Sequence, residues 1–171
     1  MHPLRKLILD EKLLSSLAKT YGTPIYIYSQ ERITENVLNL KNALNKHFEK
    51  FHICYAIKSN SNPHLIKTMR EAFPKIGGDC SSPGEIYAAE LSGIDPSDCI
   101  YTGNYESPSD LKKALTKQCN INLDDITSLN RIKKIGLPKR ISFRMNPGFG
   151  GGSYSGIVTG GRDAKFGIPA E

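Results

Sequence analysis

No apolar run in these 171 residues approaches the length of a membrane-spanning helix, and Arg5, Lys6, Asp10 and Glu11 interrupt the apolar residues near the N-terminus. The first absence argues against a helical membrane span and the second against a secretory leader, so the expected compartment is the cytoplasm. Short cysteine pairs are missing as well: Cys54, Cys80, Cys99 and Cys119 are scattered, each in or beside an apolar segment. That pattern excludes a zinc knuckle and a disulfide frame and predicts buried thiols in a reducing compartment. His2, His47, His52 and His64 lack metal-ligand spacing, so no metal is expected. The net charge of +6 would suit an anionic partner, yet the basic residues are spread through helical segments. Lys112, Lys113 and Lys117 come nearest to a cluster, and without interleaved aromatics they predict a solvated helix face and no nucleic-acid partner.

What is present is the composition of one soluble globular unit with a single ordinary core. Residues 1–28 read as an arm: a short apolar piece at Leu4 to Leu9, a helix from Asp10 to Thr20 with Leu13, Leu14 and Leu17 on one face, and a strand at Ile25 to Tyr28 after Pro24. Ser29 then caps a helix to about His47, with Ile33, Val37, Leu40 and Leu44 at helical spacing.

From Phe51 the pattern is regular. The run Phe51 to Ile57 is apolar, rich in β-branched and aromatic residues, and closed by Lys58-Ser59-Asn60, which predicts a buried strand ending at Lys58. A helix begins near Pro63, a short strand leads to Gly78-Asp79-Cys80, and Ser82-Pro83-Gly84-Glu85 opens a helix to about Leu91. Further strands are expected at Ile100-Tyr101, at Ile121 to Leu123 and from Lys139 to Met145. Helices are expected from Ser107-Pro108, from an Asp124-Asp125 cap to about Ile135, and from near Lys165. Five such strand-then-helix beats require parallel strands with crossover helices, as a barrel or as an open doubly wound sheet. Lys58, Asp79, Asn104, Asp124 and Arg144 all fall at or just after the C-terminal ends of their strands. In a barrel those ends converge on one face; in an open sheet only the switch point forms a site. Taken singly, Asn104 and Asp124 are explained as helix-cap or turn residues.

Lys58 is the residue with chemical promise. An ammonium where a buried strand opens into a loop loses water, which favours the free amine as a nucleophile; the plain alternative is a lysine that snorkels to solvent. The glycine-rich run from Asn146 to Ile168 is the second notable stretch. Glycines let backbone amides cradle a phosphate, but no G-K-[ST] follows and no helix follows promptly, so a nucleotide loop fits poorly beside a ligand-free flexible loop.

Tyr55-Ala56-Ile57-Lys58-Ser59-Asn60 resembles the pyridoxal-phosphate lysine motif of the fold-type III decarboxylases, most closely the diaminopimelate decarboxylase family. Further stretches match that family in order: Gly78-Asp79-Cys80-Ser81-Ser82 with Gly84-Glu85, Tyr101-Thr102-Gly103-Asn104, Ile121 to Asp124, Arg144-Met145-Asn146-Pro147-Gly148, Thr159-Gly160-Gly161 and Lys165-Phe166-Gly167-Ile168. Three departures stand out: Ser59 replaces the usual alanine, Glu106 stands where many members have lysine, and Tyr154 where histidine is common.

The resemblance implies an α/β fold, a partial (β/α)8 barrel with about five βα units over 29–171 and no C-terminal β-domain. It implies pyridoxal phosphate as cofactor, Lys58 as its Schiff-base lysine, Asp79 as the carboxylate near that lysine and the ring, and Arg144 as the arginine near the ring hydroxyl. Arg144 as a structural ion pair is the competing account, and Glu85 either supports the site or only stabilises a helix N-terminus. The implied activity is decarboxylation of meso-2,6-diaminopimelate to L-lysine, the last step of lysine biosynthesis, by a homodimer acting on a small amino acid. Because the family's phosphate loop and β-domain lie further along the chain, the resemblance predicts the N-terminal part of a longer enzyme, or a truncated product, inactive alone. The alternatives are a decarboxylase of another basic or diamino acid (arginine, ornithine or carboxynorspermidine), a non-catalytic relative that binds protein partners, and a nucleotide-binding domain resting on the glycine run.

Overall fold

The computed structural model describes residues 10–169; the apolar piece at Leu4 to Leu9 lies outside them. Helix α1, Glu11–Tyr21, starts where the Asp10 carboxylate accepts the Lys12 amide and stops at Gly22, whose φ of 80° a side chain would resist. Ile25 to Tyr28 does not form the expected strand: the segment is extended, Tyr26, Ile27 and Tyr28 are exposed, and no described strand lies beside it to complete its hydrogen bonds. Ser29 caps α2, Gln30–Asn45, by accepting the Arg32 amide.

Five strands follow, β1 (Cys54–Ala56), β2 (Gly77–Cys80), β3 (Ile100–Tyr101), β4 (Asn120–Leu123) and β5 (Ile141–Phe143), and they form one parallel sheet in the order β1-β2-β3-β4-β5. Between them lie α3 (Pro63–Ala72), α4 (Pro83–Leu91), α5 (Pro108–Thr116) and α6 (Thr127–Ile135). Three of these helices begin alike, with Asn62, Ser82 or Ser107 as cap and proline next, because proline's missing N–H is one the first turn leaves unpaired anyway. The sequential order has no reversal, so the open doubly wound alternative, which needs a switch point, is excluded for this sheet.

Alternation sorts the strand side chains. Cys80, Tyr101, Ile121 and Leu123 point to the helix-covered face and are at most 1 % exposed, against Ile66, Ile86, Ala89, Leu111, Ala114 and Ile132 from the helices. Burying each of the larger aliphatic side chains contributes roughly 1.5–3 kcal/mol. Ala89 and Ala114, fully buried, let α4 and α5 approach the sheet closely. Ile141 and Phe143 on β5 occupy the same face and are exposed, since no described helix follows to cover them.

Four differences from expectation have physical causes. The first strand is three residues long, because Ile57-Lys58-Ser59 tightens into a 3₁₀ turn that draws Ile57 into the core. The strand from Lys139 to Met145 is broken at Arg144 into β5 and a two-residue β6, Met145–Asn146. No helix begins near Lys165; turns lead to β7, Ile168–Pro169, which pairs in parallel with β6, so four complete strand-helix units and a fifth strand are present. At α6 it is Asp125 alone that caps, accepting the Ser128 amide at 3.0 Å, while Asp124 turns elsewhere.

The expected buried thiols are found at Cys80, Cys99 and Cys119, with Cys54 half-buried, and all four cysteines are free. Burial raises the Cys119 thiol to about 12 and the Cys54 thiol to about 11, which leaves both as inert hydrophobes at neutral pH. Lys112, Lys113 and Lys117 lie exposed along or just after α5, and Lys117 pairs with Glu90 of α4 at 2.6 Å. Among the described residues no helix is long and apolar enough to cross a membrane.

Candidate active site

The C-terminal ends of the strands carry the polar chemistry. After β1, the 3₁₀ turn projects Lys58 outward while Asn60 ties down the loop behind it: its Oδ1 accepts the Asn62 amide at 3.1 Å and its Nδ2 donates to the Tyr28 hydroxyl at 3.0 Å. The Tyr55 hydroxyl donates to the Asn60 carbonyl at 3.3 Å. Lys58 is exposed and makes no ion pair among the described residues. The dehydration expected at this position is therefore not supplied by the described chain, because the 3₁₀ turn buries Ile57 and turns its neighbour to solvent.

Asp79, half-buried, stands in register with Ala56, so β1 and β2 bring the carboxylate beside the strand that delivers Lys58. Glu85 fixes the turn that follows: its Oε2 accepts the Ser81 amide at 2.7 Å, and the Ser82 hydroxyl accepts the Glu85 amide at 3.3 Å. Its observed contact is thus at a helix N-terminus.

At and just past the C-terminal ends of β3, β4 and β5, side chains form two parallel hydrogen-bonded rows. In the lower row Asn122 Nδ2 donates to Thr102 Oγ1 at 3.1 Å and Ser142 Oγ donates to Asn122 Oδ1 at 2.8 Å. Two residues on, Asn104 Nδ2 donates to Asp124 Oδ2 at 2.6 Å and Arg144 Nη1 to Asp124 Oδ1 at 3.0 Å. Asn104 and Asp124 do stand in bends after their strands, but neither caps a helix: their side chains are partners in a row that ends on Arg144. The lower row went unread in the sequence, although 102, 122, 142 and 104, 124, 144 each recur at intervals of 20, the length of one strand-helix unit. Polar residues repeating at one register position of successive parallel strands are the signal that would have revealed it.

Arg144 is also held from its other side, with the guanidinium carbon 4.7 Å from the centroid of the Phe166 ring. The ion pair weighed for Arg144 is thus present, with the buried Asp124 carboxylate as its partner. The geometry brings Lys58 and Asp79 to adjacent strand ends and sets Arg144 on the fifth strand, bonded to neither.

Glu106 is buried rather than mouth-lining: Ser128 Oγ donates to its Oε1 at 2.8 Å and Arg131 Nη2 lies 3.6 Å from the same atom. Tyr154 is exposed. In the glycine-rich run the Gly148 and Gly161 amides both donate to Asn146 Oδ1, and Gly150 lies against the Gly160 carbonyl too closely for any side chain. The Gly148 and Gly161 amides are thus taken up by Asn146, and among the described residues no α-helix N-terminus follows, which removes the basis for a nucleotide loop.

A primary amine, a carboxylate and a guanidinium at one end of a sequentially ordered parallel sheet is the donor set of a site for an aldehyde-bearing, anionic cofactor. Residues 31–171 match the family described as "Pyridoxal-dependent decarboxylase, pyridoxal binding domain". The chain belongs to this family, and the cofactor expected from the Lys58 motif, pyridoxal phosphate, is the family's own. Among curated proteins it is similar to the diaminopimelate decarboxylase of Thermoplasma acidophilum, 40% identical over 155 residues that span 91% of this chain and 37% of that one. The enzyme of the same name from Methanothermobacter thermautotrophicus is also 40% identical, over 89% of this chain and 35% of its own. Among solved structures, Helicobacter pylori diaminopimelate decarboxylase complexed with L-lysine superposes with a TM-score of 0.82 at 32% identity, covering 91% of this chain and 40% of that one. The chain thus spans well under half the length of the relatives it matches.

Proposed function

We propose that this chain is the pyridoxal-phosphate-binding part of a decarboxylase that converts meso-2,6-diaminopimelate to L-lysine, the last step of lysine biosynthesis. The observation that carries the reading is an exposed Lys58 amine at the end of β1 with Asp79 in register on the next strand, inside the region that matches the pyridoxal binding domain. The substrate is supported by relatives at 40% identity that bear this name and by the similar Helicobacter pylori structure with L-lysine.

Each residue has a distinct task. The Lys58 amine would hold the cofactor through its aldehyde group and would give it up to the substrate's α-amine. Asp79, half-buried on the strand beside β1, would place a negative charge at the same end of the sheet as that amine. Arg144 presents positive charge to the ring hydroxyl. The cofactor, when bound, supplies the electron sink for the pair left on Cα as carbon dioxide departs. On this reading residues 1–28 are an arm and 29–171 an incomplete (β/α)8 barrel. The chain alone is inactive, and the full enzyme is a cytoplasmic homodimer.

The test is to mix the chain with pyridoxal phosphate, reduce with borohydride and locate the adduct by peptide mass mapping, with Lys58→Ala as control. A dominant adduct at Lys58 that vanishes in the variant supports the reading. Labelling scattered over surface lysines and unchanged in the variant refutes it. Carbon dioxide release from diaminopimelate, ornithine and arginine by a chain extended through the missing part then decides the substrate.

A further inference from the structure

If Arg144 supplies the site's positive charge, as the functional reading holds, something must fix where that charge points. Asp124 is 3 % exposed, and both its oxygens are committed: Oδ1 to Arg144 Nη1 and Oδ2 to Asn104 Nδ2. A carboxylate withdrawn from water needs such partners to offset its lost hydration. Of the five N–H groups on the guanidinium, only the one to Asp124 is engaged among the described residues, and a third of the Arg144 side chain remains exposed. An arginine gripped at one nitrogen, backed by the Phe166 ring and otherwise open is arranged to receive an anionic oxygen.

The loop that supplies Asn104 is itself under strain. Tyr105 has φ of 58°, a left-handed conformation that a residue with a β-carbon adopts only at a cost. It separates two side chains that engage different parts of the β4–α6 segment: Asn104 reaches Asp124, and Glu106 reaches Ser128. A less strained backbone would carry successive side chains differently, so the cost is offset by this double attachment.

We propose that Asp124, steered by Asn104, is a positioning residue that sets the Arg144 guanidinium against Phe166 and so presents its free N–H groups to the anionic edge of pyridoxal phosphate. The inference rests on the functional reading, in which Arg144 serves the cofactor. A structural ion pair alone would stabilise the fold without altering how the cofactor is held.

The test compares the chain with D124N and with the exchange N104D/D124N. In D124N one of the two donors, Asn104 or Arg144, meets an NH₂ group. In the exchange the amide at 124 can donate to the carboxylate at 104 and still accept from Arg144. Two quantities are read: the Arg144 Nη–Hη signal in the cofactor-free ¹⁵N-labelled chain, and the affinity for pyridoxal phosphate by visible absorbance. The expected result is loss of the slowly exchanging Arg144 signal and affinity about tenfold weaker in D124N, the scale of one charge-assisted hydrogen bond, with both recovered in the exchange. An Arg144 signal unchanged in D124N overturns the proposal. So does a lost signal with unchanged affinity, or an exchange variant no better than D124N. In those three cases a borohydride-fixed adduct at Lys58 of the parent chain leaves the functional reading standing. A parent chain with no Lys58 adduct refutes that reading and this inference with it.

Discussion

Asn146 and Gly161 are bonded in both directions: Asn146 Nδ2 donates to the Gly161 carbonyl at 3.0 Å, and the Gly161 amide donates to Asn146 Oδ1 at 3.1 Å. A third bond, from the Gly148 amide to the same Oδ1 at 3.0 Å, brings in the start of the glycine-rich run. A single carboxamide, 7 % exposed, therefore does for 15 residues of loop what a strand partner would do for a sheet edge.

Removing that carboxamide should loosen the loop and little else. Asn146→Ala leaves the Gly148 and Gly161 groups to find water, at a cost of about 1–3 kcal/mol. The expected readout is amide exchange at Gly148 and Gly161 accelerated about tenfold or more, with the amides of β2 and β4 unchanged. Equal acceleration throughout would mean that Asn146 supports the whole fold, and no acceleration would mean that the loop holds its shape without it.

Gly77 makes a prediction of the opposite kind, about the sheet. A β-carbon there would lie inside contact distance of the Asp98 carbonyl and 2.5 Å from His52 Nε2. Those two atoms are themselves joined at 3.0 Å, so the β-carbon would force them apart. Gly77→Ala should cost about 1–3 kcal/mol, read as a lowered urea midpoint. His52→Ala in the same chain removes the side-chain clash and leaves the backbone one, so H52A/G77A should remain less stable than H52A. Full rescue by H52A would place the obstacle in the histidine alone.

The frame of the fold was legible because its punctuation is local. Asn62-Pro63, Ser82-Pro83 and Ser107-Pro108 cap their helices as residue types alone foretell, and the strands between them are short enough for caps to bracket them. Ile25 to Tyr28 was misread because β-branched and aromatic residues make a strand only where another strand accepts them. The helix expected near Lys165 failed for a related reason: Phe166 is taken up under Arg144, and Ile168 pairs with Met145. In the site, Lys58, Asp79 and Arg144 were placed at strand ends correctly, since that follows from order along the chain. The exposure of Lys58 was not legible, because it depends on which way a 3₁₀ turn rotates. Asn104 and Asp124 were misread as caps because short polar side chains suit a cap and a hydrogen-bonded row equally well; only the spacing of 20 separates the two.

Asp125 gives the fold a titration that can be followed. Partial burial alone would raise its carboxyl, but the Thr127 hydroxyl and the Thr127 and Ser128 backbone amides donate to it and bring it down to about 2, from an ordinary value of 3.8. Arg131 Nη2, 3.1 Å from Oδ2, acts in the same direction. A folded-state value below the unfolded one means that the unfolded chain takes up the proton first. The stabilisation is therefore complete above the unfolded value, declines as pH falls from about 4, and is gone once pH passes below about 2. Asp125→Asn keeps the shape and removes the titration. The stability difference between the parent chain and D125N should be constant from pH 7 to about 5 and shrink steadily from about 4 toward 2 in urea titrations at fixed ionic strength. A difference that does not change over that range would show that the Asp125 contacts contribute through shape and not through charge.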